Sequence, residues 1–399
     1  MTSRRVEVWD DSTFVGVAYL DSSHKGVSVS FRYDDAYLAA PSARQIDPAF
    51  PLYSGAHQST GLPGSFSDCA PDRWGRGLIR TQMLKDGLAR ELTDVDYLVS
   101  VSDIARQGSL RFCDNGVFLS PGASVPKMVS VGRLLSLADA AGKDDPDIDA
   151  VRALVLDGSG SMGGARPKAV VSDGGELWMA KFPKENDDYD VCAWEKVTLG
   201  LAAMTGLPVP ESRLVKVDGR SVLLAKRFDR DKDRRIGYVS AMTLAGSSDH
   251  DRMDYLDVLD SIMDYSVSPR EDARDLWRRM AFSVAVHNTD DHLRNHGFLA
   301  SGKGWTLAPI FDVNPNPGPG IRRTSIAGAV SRDEELDALM ECAPEFWLSR
   351  DEARATIVKT WKVTSSWRGV AAGAGIPERE IRRMAPAFEG GGDLFGGGK

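Results

Sequence analysis

Apolar and polar positions alternate through much of the first 125 residues. In VEVWDDSTFVGVAYL and KGVSVSFRY the period is two, broken by Asp-Asp and Gly, which predicts short strands joined by turns. An irregular Pro- and Gly-rich stretch runs from Pro41 to Gly64. PDRWGRGLIRTQML then takes up a helical period, with Pro71 expected in its first turn and Asp72 adding a favourable N-terminal charge. Two more helical stretches, VGRLLSLADAAG and DIDAVRALVLDG, lead into the Gly- and Ser-rich segment GSGSMGGARPK (158–168). Strand patterns return in AVVSD, ELWMAKFP (176–183) and RSVLLAKRFDR (220–230), with a helix expected from Val191 to Thr205. After about Asp231 the chain reads as mostly helical. The exception is GWTLAPIFDVNPNPGPG (304–320), a short strand running into a loop that Pro and Gly keep from being helical.

Composition narrows the class. A chain of 399 residues favours two or three domains, and 42% hydrophobic with 27% charged residues is an ordinary globular balance. No apolar run is long enough for a membrane span, and MTSRRVEVWDD does not resemble a secretory signal. Cys69, Cys113, Cys192 and Cys342 are far apart, which suits buried thiols in a reducing cytoplasm and argues against a disulfide framework or zinc site. A net charge of −8 argues against nucleic-acid binding by the whole surface.

The densest chemistry lies in HNTDDHLRNHG (287–297), which holds two aspartates, two asparagines and three histidines after the apolar run DLWRRMAFSVAV. Leu276, Met280, Val284 and His287 fall at helical spacing, so that face is expected to be buried. Thr289 and Asp290 taken alone suit a capping or turn role. His292 and His296 are four apart, as in zinc helices, but the intervening residues lack the glutamate base and include an arginine. Asp290 and Asn295 stand in the D-x-x-x-x-N spacing of a phosphoryl-transfer loop, where the aspartate accepts the proton of the attacking hydroxyl and the asparagine holds magnesium.

That spacing gains weight from its neighbours in sequence order. Asp312, expected at the end of the strand TLAPIF, is placed to meet the same metal ion. Lys181 shares one strand face with Leu177 and Met179 and needs an acidic partner, for which Glu195 on the following helix is the candidate. Gly158, Gly160 and Gly163 satisfy G-x-G-x-x-G, a pattern that a flexible linker also gives. GGARPK is the better phosphate-binding candidate, because small residues let backbone N–H groups approach an anion and Lys168 adds charge.

Together SMGGARPK, MAKFP, KRFDR, NTDDHLRNHGF and LAPIFDVNP resemble the HipA family of bacterial serine/threonine kinases, the toxins of type II toxin–antitoxin pairs. FSDCAPDRWGRGL resembles that family's N-terminal subdomain, so the resemblance spans roughly residues 5 to 385. It implies an α+β, two-lobed protein-kinase-like fold. Residues 1–125 would form an N-terminal subdomain, 126–230 the N-lobe, 231–388 a helical C-lobe and 389–399 a flexible tail. It also implies ATP and Mg2+ as cofactors, with Asp290 as catalytic base and Asn295 and Asp312 on the metal. His292 would contact nucleotide, Lys181 would bind phosphates braced by Glu195, and Gly163, Gly164, Ala165, Arg166, Pro167 and Lys168 would form the phosphate loop. Lys226, Arg227 and Phe228 would form the hinge that meets adenine, largely through backbone. Ser161 matches the serine such kinases autophosphorylate to switch themselves off, since a phosphate there adds charge where ATP phosphates sit.

The implied partners are a protein substrate, with an aminoacyl-tRNA synthetase as one target, and a small helix-turn-helix antitoxin (HipB-like). Operator DNA would be reached through that antitoxin complex, and no membrane is involved. This chain departs from the family where Arg166 replaces a common glutamine and Lys226 an acidic residue. Two other readings stand beside this one: a small-molecule phosphotransferase of the same fold, and a non-catalytic co-repressor acting with an antitoxin.

Overall fold

The computed structural model describes the chain except for residues 1, 24–25, 89, 121–124, 144, 157–165, 250 and 390–399. The Gly- and Ser-rich segment with Ser161, Gly163, Gly164 and Ala165 therefore lies outside the described residues, as does the expected tail.

The alternating N-terminal segments form an antiparallel sheet. Its strands are β1 (Thr2–Asp10), β2 (Thr13–Ser23), β3 (Gly26–Tyr33), β4 (His57–Thr60), β5 (Leu110–Asp114) and β6 (Val117–Phe118), in the order β4-β3-β2-β1-β5-β6. Period-two patterning puts Val6, Val8, Ala18, Leu20, Val29 and Phe31 on the buried face, against Phe50, Phe66 and Leu98. The helix Arg73–Lys85 starts later than the sequence suggested. Pro71 lies outside it, and Asp72 is its N-cap, accepting a hydrogen bond from the Gly75 N–H at 2.7 Å. Although an expected boundary near residue 125 assigns this helix to the first unit, its Leu78 packs with Val131, Leu134, Val151 and Trp178 of the second.

A second antiparallel sheet has the order β7-β8-β10-β9, from β7 (Lys168–Asp173), β8 (Glu176–Lys181), β9 (Ser212–Val217) and β10 (Arg220–Lys226). Between β8 and β9 runs the helix Val191–Thr205, over the range the sequence predicted. Asp190 caps its start by accepting from the Ala193 N–H, and Gly206 ends it in the left-handed region at φ 92°, which a side chain would strain. This helix is buried on nearly every side. Trp194 packs on Trp367 and Phe388, whose rings stack at 4.6 Å, and Glu380 of the helix Glu378–Glu389 accepts from the Trp194 indole N–H at 2.8 Å.

The remainder is mostly helical, centred on Pro269–Ala285, with Leu276, Trp277, Met280 and Val284 at the core. His287 does not continue that face. The helix ends at Ala285, and His287 sits beyond it at φ 51°. The strand expected over TLAPIF stops at Leu307, so the run to Asp312 is irregular backbone. Among the described residues, no helix is long and apolar enough to cross a membrane.

Candidate active site

Lys181 ends β8, directly opposite Lys168 of β7 and Leu223 of β10. Its ammonium donates to Glu195 Oε1 at 2.6 Å and to Asp312 Oδ1 at 2.8 Å. One strand lysine thus bridges a helix glutamate and a loop aspartate from the other lobe. Burial opposes charge on Lys181, but Asp312 and Glu195 outweigh it and raise its pKa. Burial likewise works against the Asp312 carboxylate, yet Lys181 holds its pKa down to about 2, with help from Lys168 and His292. Glu195 goes the other way. Its desolvation exceeds what a shared lysine returns, so its pKa is raised.

Asp312 sits at φ 56°, a left-handed conformation uncommon for a residue with a side chain. Neighbouring contacts hold it there. The Asn288 carboxamide accepts from the Asn314 N–H at 3.4 Å, Asn316 donates to the Thr289 hydroxyl at 2.8 Å, and the His287 carbonyl accepts from the Asn316 N–H at 3.1 Å. These bonds join the loop 287–296 to the segment 312–316.

The Asp-Asp doublet at 290–291 divides into two roles. Asp291, 7% exposed at its side chain, accepts from the Tyr255 and Ser283 hydroxyls and lies 3.0 Å from His296 Nε2. Burial opposes its charge, but His296 and Arg322 pull its pKa well below the carboxylate range. Asp290 is 71% exposed and pairs with Arg323 at 2.8 Å. Asp291 anchors the loop; Asp290 projects from it. The backbone beneath is held by buried Arg322, which pairs with Glu335 at 2.7 Å and donates to the Asn288 carbonyl at 2.6 Å. Asn295 donates through Nδ2 to the Asp290 carbonyl at 3.1 Å, which leaves its Oδ1 for another partner.

These donors suit a hard cation better than zinc. His296 is committed to Asp291, so the pair of histidines four apart is not a joint site. Among the described residues, no group of three or more His, Cys, Asp or Glu side chains is placed to hold a metal ion. Asp312 and Asn295 offer oxygen ligands on facing segments, and the buried Asn314 Oδ1 has no hydrogen-bond partner nearby. One carboxylate and an amide oxygen or two match the way magnesium binds, with water or phosphate completing its shell.

The other expected residues divide between this cluster and pairings outside it. Arg166 is turned to Asp187, which it grips at 2.8 and 2.7 Å. The Pro167 carbonyl accepts from the Phe182 N–H, and Lys168 pairs with Asp72 at 2.5 Å. In the hinge segment, Lys226 pairs at the surface with Glu176, and its N–H donates to the Glu211 carbonyl. The buried Arg227 side chain grips Asp229 and donates to the carbonyls of Ala105 and Arg106, while its N–H donates to Leu177. Arg227 therefore ties the hinge to the N-terminal region. Phe228 lies 5.5 Å from Phe311, next to Asp312, and His292 is half-buried with an unpartnered Nδ1. Sequence reasoning missed the anchoring Asp291, the Arg322–Glu335 pair, Arg323, and the place of Asp72 in this cluster. The doublet and the capping aspartate were visible, but period and spacing carry no sign of long-range ion pairing.

A strand lysine bridging a helix glutamate and a loop aspartate, above an Asp/Asn loop, defines a kinase-like cleft between two lobes. Comparison with known families places it further. The HipA N-terminal domain model matches residues 6–105 and the HipA-like C-terminal domain model matches 160–367, more than half of the chain, so the chain belongs to the HipA family. The HipA of the Shewanella oneidensis MR-1 toxin–antitoxin complex with HipB and operator DNA aligns over 99% of this chain and 100% of its own, with TM-score 0.67 and 15% identity. A Haemophilus influenzae protein, provisionally described as a kinase, is 26% identical over 149 residues. The match takes in 33% of this chain and spans 43% of that relative's length.

Proposed function

We propose that this chain is an ATP- and magnesium-dependent serine/threonine protein kinase of the HipA type. The observation that carries the reading is Lys181 bridging Glu195 and Asp312, with Asp290 projecting from a loop whose neighbouring aspartate is fully committed to structure. Asp290 orients an incoming hydroxyl and accepts its proton, its exposure giving a polypeptide access. Lys181 holds phosphate oxygens while Glu195 fixes its direction, and Phe228 and His292 flank the nucleotide. Asn295 and Asp312 would hold the magnesium ion, which when bound neutralises charge developing on the phosphates. Catalysis is then chiefly positioning and electrostatics.

The same reading extends to autophosphorylation at Ser161, a cytoplasmic protein substrate and a HipB-like antitoxin that carries the operator contact. The Shewanella complex, with HipA beside HipB and operator DNA, supports the partner assignment by fold. The test incubates purified protein and its Asp290→Ala variant with labelled ATP and magnesium, then maps the label by mass spectrometry. Label on Ser161 in the wild type and absent from the variant is expected. Label elsewhere removes the switch and keeps the kinase; ATP binding with no label on protein favours a small-molecule acceptor; no ATP binding refutes the reading.

A further inference from the structure

The stretch from Asp68 to Asp72 belongs to the N-terminal region, yet it places one carboxylate in each lobe. Asp68 ends the helix Gly64–Asp68 and accepts from the Ser240 N–H at 2.6 Å, the Ser240 hydroxyl at 2.8 Å and the Thr243 hydroxyl at 2.7 Å. It also stands 3.7 Å from Arg294, inside the Asp290–Asn295 loop. The approach is close: a Cβ on Gly64 would lie 2.6 Å from the Thr243 side chain. Asp72 reaches the other way, to Lys168 at 2.5 Å, with the two side chains 3% and 4% exposed. Lys168 is the cross-strand partner of Lys181, and its charge is felt by both Glu195 and Asp312.

We propose that Asp72 competes with nucleotide phosphates for the Lys168 ammonium, so that the N-terminal region acts as a built-in antagonist of phosphate binding. This rests on the reading of the cleft as a nucleotide site. Two bound arrangements are open to Lys168, and both have the same sign. If it keeps Asp72 while meeting a phosphate, the Asp72 charge repels the polyanion. If it leaves Asp72, a carboxylate is stranded in a buried position, which is costly. In either case the Asp72 charge weakens binding of a triphosphate and leaves a ligand without phosphate untouched. Coupling is reciprocal: whatever ATP loses to Asp72, the seating of residues 68–72 between the lobes loses to ATP.

The full chain and its Asp72→Asn variant, which keeps the capping oxygen, are titrated calorimetrically with ATP plus magnesium and with adenosine. The expected result is ATP binding about tenfold or more tighter in Asp72→Asn, with adenosine affinity equal in the two proteins. A second measurement needs no variant: hydrogen exchange in the first turn of the helix Arg73–Lys85 of the wild type speeds up with ATP and magnesium, and not with adenosine. Unchanged or weaker ATP binding in the variant overturns the proposal while the nucleotide reading stands, as does an equal shift for both ligands or exchange indifferent to ATP. Failure of the wild type to bind either ligand overturns the nucleotide reading and this proposal with it.

Discussion

Replacing Lys181 with methionine keeps the length of the side chain and removes its charge. Glu195 and Asp312 then face each other with no shared cation, since both oxygens that Lys181 holds, at 2.6 and 2.8 Å, are oriented toward one point. Breaking a buried pair by deleting one partner costs about 3–5 kcal/mol. Here the stranded side contains two like charges, so the upper part of that range is expected at pH 8. The pH dependence follows from the sign of the shifts. In the wild type the Asp312 pKa is held down to about 2, so its pairing supplies stability that is present above about pH 4 and lost as pH falls toward 2. In Lys181→Met both carboxylates have raised folded-state values. The penalty is therefore full at high pH and shrinks as one of them takes up a proton. Urea unfolding followed by near-UV circular dichroism and fluorescence, at pH 8 and pH 5, measures the difference directly. A destabilisation equal at the two pH values would refute the reasoning, because it would mean the loss is packing and not stranded charge. Adding Glu195→Gln to Lys181→Met should recover most of the deficit at pH 8.

Glu195→Gln alone should destabilise far less than Lys181→Met, because Asp312 still pairs with the lysine and burial disfavours the glutamate's own charge, and should lower phosphoryl transfer by releasing Lys181 toward Asp312. Asp290→Asn should leave the unfolding midpoint unchanged while reducing transfer by about 10²–10⁴, the range of a lost general base, in a labelled-ATP assay. Asp291→Asn should do the reverse, costing about 2–4 kcal/mol in denaturant unfolding. One carboxylate oxygen takes both the Tyr255 and Ser283 hydroxyls and the other faces His296, so an amide leaves one side without its acceptor and removes the buried charge opposite His296 and Arg322. Phe388→Ala should destabilise by about 3–5 kcal/mol through loss of its stack on Trp367, with a lower Tm as readout.

Local elements were legible in the chain because local physics sets them. The helix Val191–Thr205 carries its own cap at Asp190 and its own stop at Gly206, so its limits could be read from sequence. The hairpin strands of the first sheet were visible for the same reason, since one buried face imposes period two. Asp312 shows where legibility ended. Its strand was expected to continue through Phe311, but β-like composition in TLAPIF gives way after Leu307 to irregular backbone fixed by Asn288 and by the segment's own Asn314 and Asn316. No pattern within that segment encodes a bond to residues more than twenty positions away. The doublet at 290–291 was similarly unreadable in isolation: either aspartate fits a loop, and only the fold decides which one is buried. Arg227 marks a subtler case, in which a residue expected beside adenine sends its side chain into carbonyls of the N-terminal region.

The charge balance of the cleft connects these observations. Among the described residues, Lys168 and Lys181 bring two ammonium groups, against three carboxylates from Asp72, Glu195 and Asp312. Such a cluster has a net negative charge, and a bare polyanion entering it would be repelled. On the proposed reading a cation arriving with the nucleotide reverses that sign, with Asp312 and Asn295 as its proposed ligands. The requirement for magnesium on the proposed reading thus comes from the balance of buried charge as well as from the identity of the ligands. It also explains why a structural aspartate from a distant part of the chain matters to the site. Asp72 is the third carboxylate, and removing its charge alone would bring the cluster to neutrality.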